Sequence, residues 1–100
     1  MTNVISIVSE RNNLPHNDEL VKMIKSSAGR FFTCTFIKRN GEVRVLNGRI
    51  GVHKGVKGVG HKFNKPNLIT VFDAKAKEYR MVNVETLQRY SCGRFEWSVK

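Results

Sequence analysis

Residues Val43 to Phe72 hold the side chains best suited to chemistry, and the chemistry they suit is polyanion binding. This stretch contains no Asp or Glu and carries Arg44, Arg49, Lys54, Lys57, Lys62 and Lys65, with His53 and His61 among them. Its middle, Gly51-Val52-His53-Lys54-Gly55-Val56-Lys57-Gly58-Val59-Gly60-His61-Lys62, alternates glycine with basic and small apolar residues. Glycine lets a backbone approach a ligand closely, and clustered lysines raise the local positive potential. A basic loop facing nucleic acid has this pattern, and so does a solvated loop of any basic protein. The charge of the whole chain favours the first reading: Lys+Arg 18 against Asp+Glu 8, a formal net charge of +10.

Further cations extend the patch. Lys38, Arg39 and Arg44 flank an expected hairpin, and Arg80 falls on a later strand. Arg80 is equally placed to pair with Asp73 or Glu78. Phe63 lies in basic surroundings, where it can stack on a base, worth about 1–3 kcal/mol, or anchor its loop to the core. Enzymatic machinery is not expected. The run Gly55 to Lys62 lacks the Gly-x-x-x-x-Gly-Lys-Ser/Thr spacing of a phosphate-binding loop, and Phe63 stands where the magnesium-binding hydroxyl would be. His53 and His61 have no evident nucleophile or carboxylate partner. Cys34 and Cys92 form no Cys-x-x-Cys and have no zinc-type spacing with the histidines, so neither a metal nor a cofactor is expected.

The elements that position these residues follow from periodicity. Val4 to Val8 has strand propensity and reads as an edge strand or a flexible leader, with a polar linker to His16. Asn17 is the expected N-cap of a helix over about 18–28, with Asp18 and Glu19 in its first turn. Leu20, Met23 and Ile24 share its apolar face. Gly29 suits the position after its end. From Arg30 the period becomes two: Phe32, Cys34 and Phe36 share one face of a strand. Asn40-Gly41 predicts a type I′ hairpin turn into Glu42 to Leu46. Strands follow at Leu68 to Phe72 and Tyr79 to Val84, then a helical turn over Val84 to Leu87, then short strands at Gln88 to Ser91 and Phe95 to Val99. Residues 17–100 therefore read as one domain. It is a mainly β fold, a small SH3-like or Sm-like antiparallel barrel over 30–100 with one N-terminal helix.

Two segments carry a family likeness. Thr35-Phe36-Ile37-Lys38-Arg39-Asn40-Gly41-Glu42-Val43-Arg44 resembles the first hairpin of small Sm-like SH3-barrel proteins of bacteriophages, which are related to the barrel of WYL-type transcription regulators. Leu68-Ile69-Thr70-Val71-Phe72-Asp73 and Tyr79-Arg80-Met81-Val82-Asn83-Val84-Glu85-Thr86-Leu87 resemble that family's second hairpin and the turn after it. The likeness runs from about Phe32 to Tyr90. It implies the barrel, a phage or bacterial setting and, by analogy alone, a nucleic-acid-binding or regulatory role.

The expected function is a non-enzymatic module that binds DNA or RNA mainly through phosphates. The alternative is an effector that docks on an acidic host-protein surface. No run is long enough to span a bilayer and no signal peptide is evident, so a cytoplasmic chain without a membrane partner is expected, its oligomeric state open. If about four phosphates are neutralised on duplex DNA, log K falls with log salt at a slope near −3.6. Changing Lys54, Lys57, Lys62 and Lys65 together to Ala should weaken binding and flatten that slope. Fluorescence anisotropy across a salt series measures both, and an unaltered slope would remove these lysines from the interface.

Overall fold

Seven extended runs, most with one face to bury, pair into a single sheet. The structure, a computed structural model, describes residues 4–50 and 67–100. The strands are β1 (Ile5–Ser9), β2 (Phe32–Ile37), β3 (Val43–Arg49), β4 (Leu68–Asp73), β5 (Glu78–Asn83), β6 (Leu87–Cys92) and β7 (Phe95–Val99). One helix, α1 (Asn17–Lys25), and a 3₁₀ turn at Val84–Thr86 complete the elements. The sheet order is β1-β7-β6-β2-β3-β4-β5. All neighbours are antiparallel except β1, which runs parallel to β7. The expected all-antiparallel pairing fails there because no hairpin joins these two strands, so no tight turn dictates their direction.

The sheet curls without closing. β2 shifts register against β6 between Thr35 and Phe36, an irregularity of the kind that bends a strand. β2 also contacts β5, although β3 and β4 lie between them in the sheet. Thr86 in the 3₁₀ turn fastens this end: its Oγ1 donates to the Ile37 carbonyl at 2.7 Å and accepts the Ile37 N–H at 3.3 Å. Among the described residues β1 and β5 are the two edges of the sheet.

The core lies on the concave face. Phe32, Cys34 and Phe36 of β2 are buried in strict alternation, and Leu46, Ile69, Val71, Val82, Leu87, Tyr90 and Trp97 meet them. Leu20 and Ile24 of α1 join the same cluster, with Met23 partly buried beside them. Each such side chain contributes about 1.5–3 kcal/mol of transfer free energy. Trp97 is buried, and its Nε1–H donates to Ser9 Oγ at 2.9 Å, which ties β1 to β7.

Two local expectations are corrected. The helix begins one residue earlier and ends three earlier than the period suggested. His16 occupies the N-cap position without a side-chain bond, and Asn17 instead donates from Nδ2 to Glu85 Oε1 at 3.2 Å. The Ser26 and Ser27 hydroxyls bond the Met23 and Ile24 carbonyls, and such local bonds compete with helix continuation. The chain then leaves through positive φ at both Ala28 and Gly29.

At the β2–β3 hairpin, only Gly41 has positive φ, so the turn is not type I′. The Gly41 N–H bonds the Lys38 carbonyl at 2.9 Å and the Lys38 N–H bonds the Glu42 carbonyl at 2.7 Å. This is a three-residue loop closed by a left-handed glycine. Asn40 Oδ1 accepts the Glu42 N–H at 3.1 Å, so its side chain supports the turn without entering the left-handed region.

Gly48 pairs with Asp73 where β3 meets β4. A Cβ there would collide with the Phe72 carbonyl oxygen and Val71 Cγ1. Backbone cannot yield as a flexible side chain can, so Gly48→Ala should cost about 1–3 kcal/mol. Urea unfolding of the two proteins measures this, and equal midpoints would contradict the packing described.

Candidate nucleic-acid interface

The alternation that buries the core also builds the candidate site. On β2 the concave face passes from Phe36 to Lys38, two residues on. On β3 it passes from buried Leu46 to half-exposed Arg44, and on β5 from buried Val82 to half-exposed Arg80. Three strands thus change from apolar to cationic at the same end of the sheet. The register places Arg44 opposite Phe36 and Arg80 opposite Val71. Lys38, Arg44 and Arg80, with Phe36, Tyr79 and Met81, line a cleft of about 280 Å³.

A second cleft, of about 410 Å³, shares Arg44 and Arg80 and adds Thr33, Val45, Asn47, Asp73, Lys75 and Ala76. It exists because β3 and β4 pair only at Gly48↔Asp73 and Arg49↔Phe72 among the described residues. The Ala74 N–H reaches the Asn47 carbonyl at 3.0 Å. Beyond that bond the two hairpins separate, and Arg44 and Arg80 lie on either side of the opening.

These cations are not equivalent. Arg80 donates from Nε to Asp73 Oδ2 at 2.8 Å and from Nη2 to Glu78 Oε1 at 2.9 Å. Two carboxylates therefore offset its charge and hold its plane. Lys38 stands 4.0 Å from the well-exposed Glu42 carboxylate, a contact worth little in solvent. Arg44 has no ion pair among the described residues, and Arg39 projects from the exposed turn. Arg44 is thus the cation in the cleft with most charge left for a ligand.

Asp73 anchors this arrangement from below. It is buried, and its Oδ1 accepts the Lys75 and Ala76 N–H groups at 2.9 and 3.1 Å, the bonds of an Asx turn. The Ala76 N–H is the largest influence holding its carboxyl below the ordinary value. Arg80 and the Lys75 N–H add to this, against a burial effect that pushes the other way.

The remaining candidates fall elsewhere. Arg49 lies five residues along β3 from Arg44, roughly 17 Å away at the usual strand rise, and on the opposite face. Its guanidinium sits 5.2 Å from the centroid of the exposed Phe31 ring, and its Nε is buried without a hydrogen-bond partner among the described residues. Lys54, Lys57, Lys62, Phe63 and Lys65 lie outside the described residues, as do His53 and His61. Cys34 is fully buried, and burial pushes its thiol up to about 12, so it is not a nucleophile at neutral pH.

Sequence reasoning missed Lys75, Tyr79 and Met81 as cleft residues. Tyr79 reads as packing, and it does pack edge-on against Phe72 at 5.3 Å between centroids. Counting register outward from the Asp73–Glu78 hairpin brings Tyr79 to Met81 onto the free edge strand. Comparison of the chain with protein-family models, curated proteins and solved structures finds no match in any of the three. No helix among the described residues is long and apolar enough to cross a membrane.

The Asp73 carboxyl gives a pH signature. Its folded value is depressed below 3.8, so the stability it contributes is present above that pH and is lost as pH falls through the folded value. Asp73→Asn removes this contribution. As pH falls below about 4, the usual aspartate value, the native protein's urea midpoint should fall more than the variant's. Parallel curves would show that Asp73 is not the titrating anchor.

Proposed function

We infer that this chain is a non-enzymatic nucleic-acid-binding module in which phosphate contacts dominate. One observation carries the reading: the apolar interior of the sheet ends in Lys38, Arg44 and Arg80 around a cleft, in a chain of net charge +10. Cations convergent on a concave surface focus potential where a backbone phosphate can sit. Among the described residues neither cleft is lined by a helix that could read a groove, so low sequence specificity is expected. We further read the curled sheet as a small barrel of the SH3-like, Sm-like kind, with the phage or bacterial regulatory setting that the likeness of Phe32 to Tyr90 implies. In support, β2 reaches β5, and Thr86 joins the 3₁₀ turn to the end of β2.

A second reading has its own observation. β1 is an edge strand whose Ile5, Ile7 and Val8 are exposed at 61%, 46% and 58%. An apolar edge of this kind suits strand addition by a protein partner, the role expected of an effector on a host protein.

Anisotropy with labelled duplex and single-stranded probes separates the two. Replacing Lys38, Arg39 and Arg44 together by Gln should weaken nucleic-acid binding by roughly tenfold or more near 100 mM salt. The salt slope should flatten by about 0.9 for each duplex phosphate that the variant no longer neutralises. Unchanged affinity and slope would refute the cleft as the nucleic-acid surface. A protein partner that the native chain captures, and that Ile7→Lys on β1 releases, would favour the second reading.

A further inference from the structure

β1 ends the sheet without protection. Val4 to Val8 carries no charge, and Val4, Ile5, Ile7 and Val8 are all exposed. An uncharged apolar edge is an open template for another strand. The opposite edge, β5, carries Glu78 and Arg80, and charges of this kind blunt an edge. Ile5 and Ile7 lie beside Phe95 and Trp97 of β7. Trp97 is buried and Ile7 is exposed, so the apolar row breaks off where a further strand would lie.

The backbone groups of β1 divide by period. The Ile5 N–H donates to the Arg94 carbonyl at 2.7 Å, and the Ser9 carbonyl accepts the Lys100 N–H at 2.9 Å. Ile5, Ile7 and Ser9 therefore direct their backbone groups at β7, and Val4, Ser6 and Val8 direct theirs outward. The residue types say which strand fits there. Val4-Ile5-Ser6-Ile7-Val8 reads the same in both directions about Ser6. An antiparallel copy centred on Ser6 sets Val4 against the partner's Val8, Ile5 against the partner's Ile7 and Ser6 against the partner's Ser6. The serine and valine pairs fall at outward-directed positions, where opposed residues exchange both backbone bonds. The isoleucines fall at the closer, non-bonded positions. A slip to the next matched register sets Val8 against the partner's Ser6 and Val4 against the partner's Glu10, and the apolar pairing is lost. We propose that β1 is a homodimer seam: a second copy of this chain pairs antiparallel with β1 about a two-fold axis at Ser6 and joins two sheets into one. A two-fold interface needs a surface complementary to itself, and this strand is one. The clefts beside Arg44 lie towards the other end of the strand order, so both stay open in the dimer.

This pairing does not depend on the nucleic-acid reading. Sedimentation equilibrium of the whole protein tests it. A strand pair this short buries less than the standard interface of about 1,600 Å², so dimerisation is expected at roughly 10–100 µM. Each copy carries a formal charge of +10, so added salt should tighten the dimer by screening repulsion, opposite in sign to its effect on nucleic-acid binding. Ser6→Pro removes an outward N–H that β7 does not use, and edge strands tolerate proline there. It should weaken the dimer about tenfold or more, since each copy loses a bond. Emission of Trp97, which Ser9 ties to β1, should not change. Val8→Lys touches no β1–β7 backbone bond and should also weaken the dimer, which covers the case where proline undocks β1. Cys34 and Cys92 are buried, so mild oxidation addresses introduced thiols. Ser6→Cys, whose thiols meet at the axis, should cross-link, and Val8→Cys, whose copies stand about 14 Å apart, should not. A chain that stays monomeric at millimolar concentration in high salt would overturn the proposal and leave β1 to a different protein. A dimer indifferent to both Ser6→Pro and Val8→Lys would overturn it too, by placing the seam on another surface.

Discussion

A strand with one buried face must keep period two along its whole length, and this constraint sets both the core and the cleft. Phe32, Cys34 and Phe36 face inward because burying them stabilises the sheet. The same pleat turns Lys38 to that face, and on β3 and β5 it turns Arg44 and Arg80. A slip of one residue in any of these strands would expose its apolar set and withdraw its cation. The cleft therefore needs no dedicated device to hold it in register: the stability of the core does so.

Charge balance then decides which cation is available. Asp73 is buried at the start of the β4–β5 turn because its side chain completes the turn through Lys75 and Ala76. Arg80 lies across the hairpin and within reach, so the turn and the ion pair stabilise each other. The consequence for binding is subtractive. Paired carboxylates offset much of the long-range pull of Arg80, while Arg44, on a strand edge that β4 does not cover, keeps its own. Proximity in the cleft alone would rank the two arginines equally, and their partners rank them differently.

Much of the fold was legible because it is local. The Phe32–Phe36 alternation, the hairpin around Asn40-Gly41, the β4–β5 hairpin and the 3₁₀ turn after it all depend on residues a few positions apart. Errors of detail were also local but depended on competition. Ser26 and Ser27 drew the last helical carbonyls to their hydroxyls, and Asn17 gave its amide to Glu85 rather than to its own helix. Asn40 supported its turn through its side chain, which made a second positive φ unnecessary. Propensity names what each residue prefers; it does not say which of two satisfied arrangements the neighbours select.

By itself, the sequence determined a mainly β chain with one amphipathic helix, a strong positive charge, and Lys38, Arg44 and Arg80 as candidate binding residues. Spacing and composition suffice for these because each is a property of a short window or of the whole sum. Tertiary structure alone decided that Lys38, Arg44 and Arg80 meet at one cleft and that Arg49 stands apart on Phe31. It also decided that β1 runs parallel to β7 and that Arg80 arrives already paired. These depend on strand order and on the curl that brings β5 to β2. Both follow from how the strands pair and pack together, and no single strand carries that information.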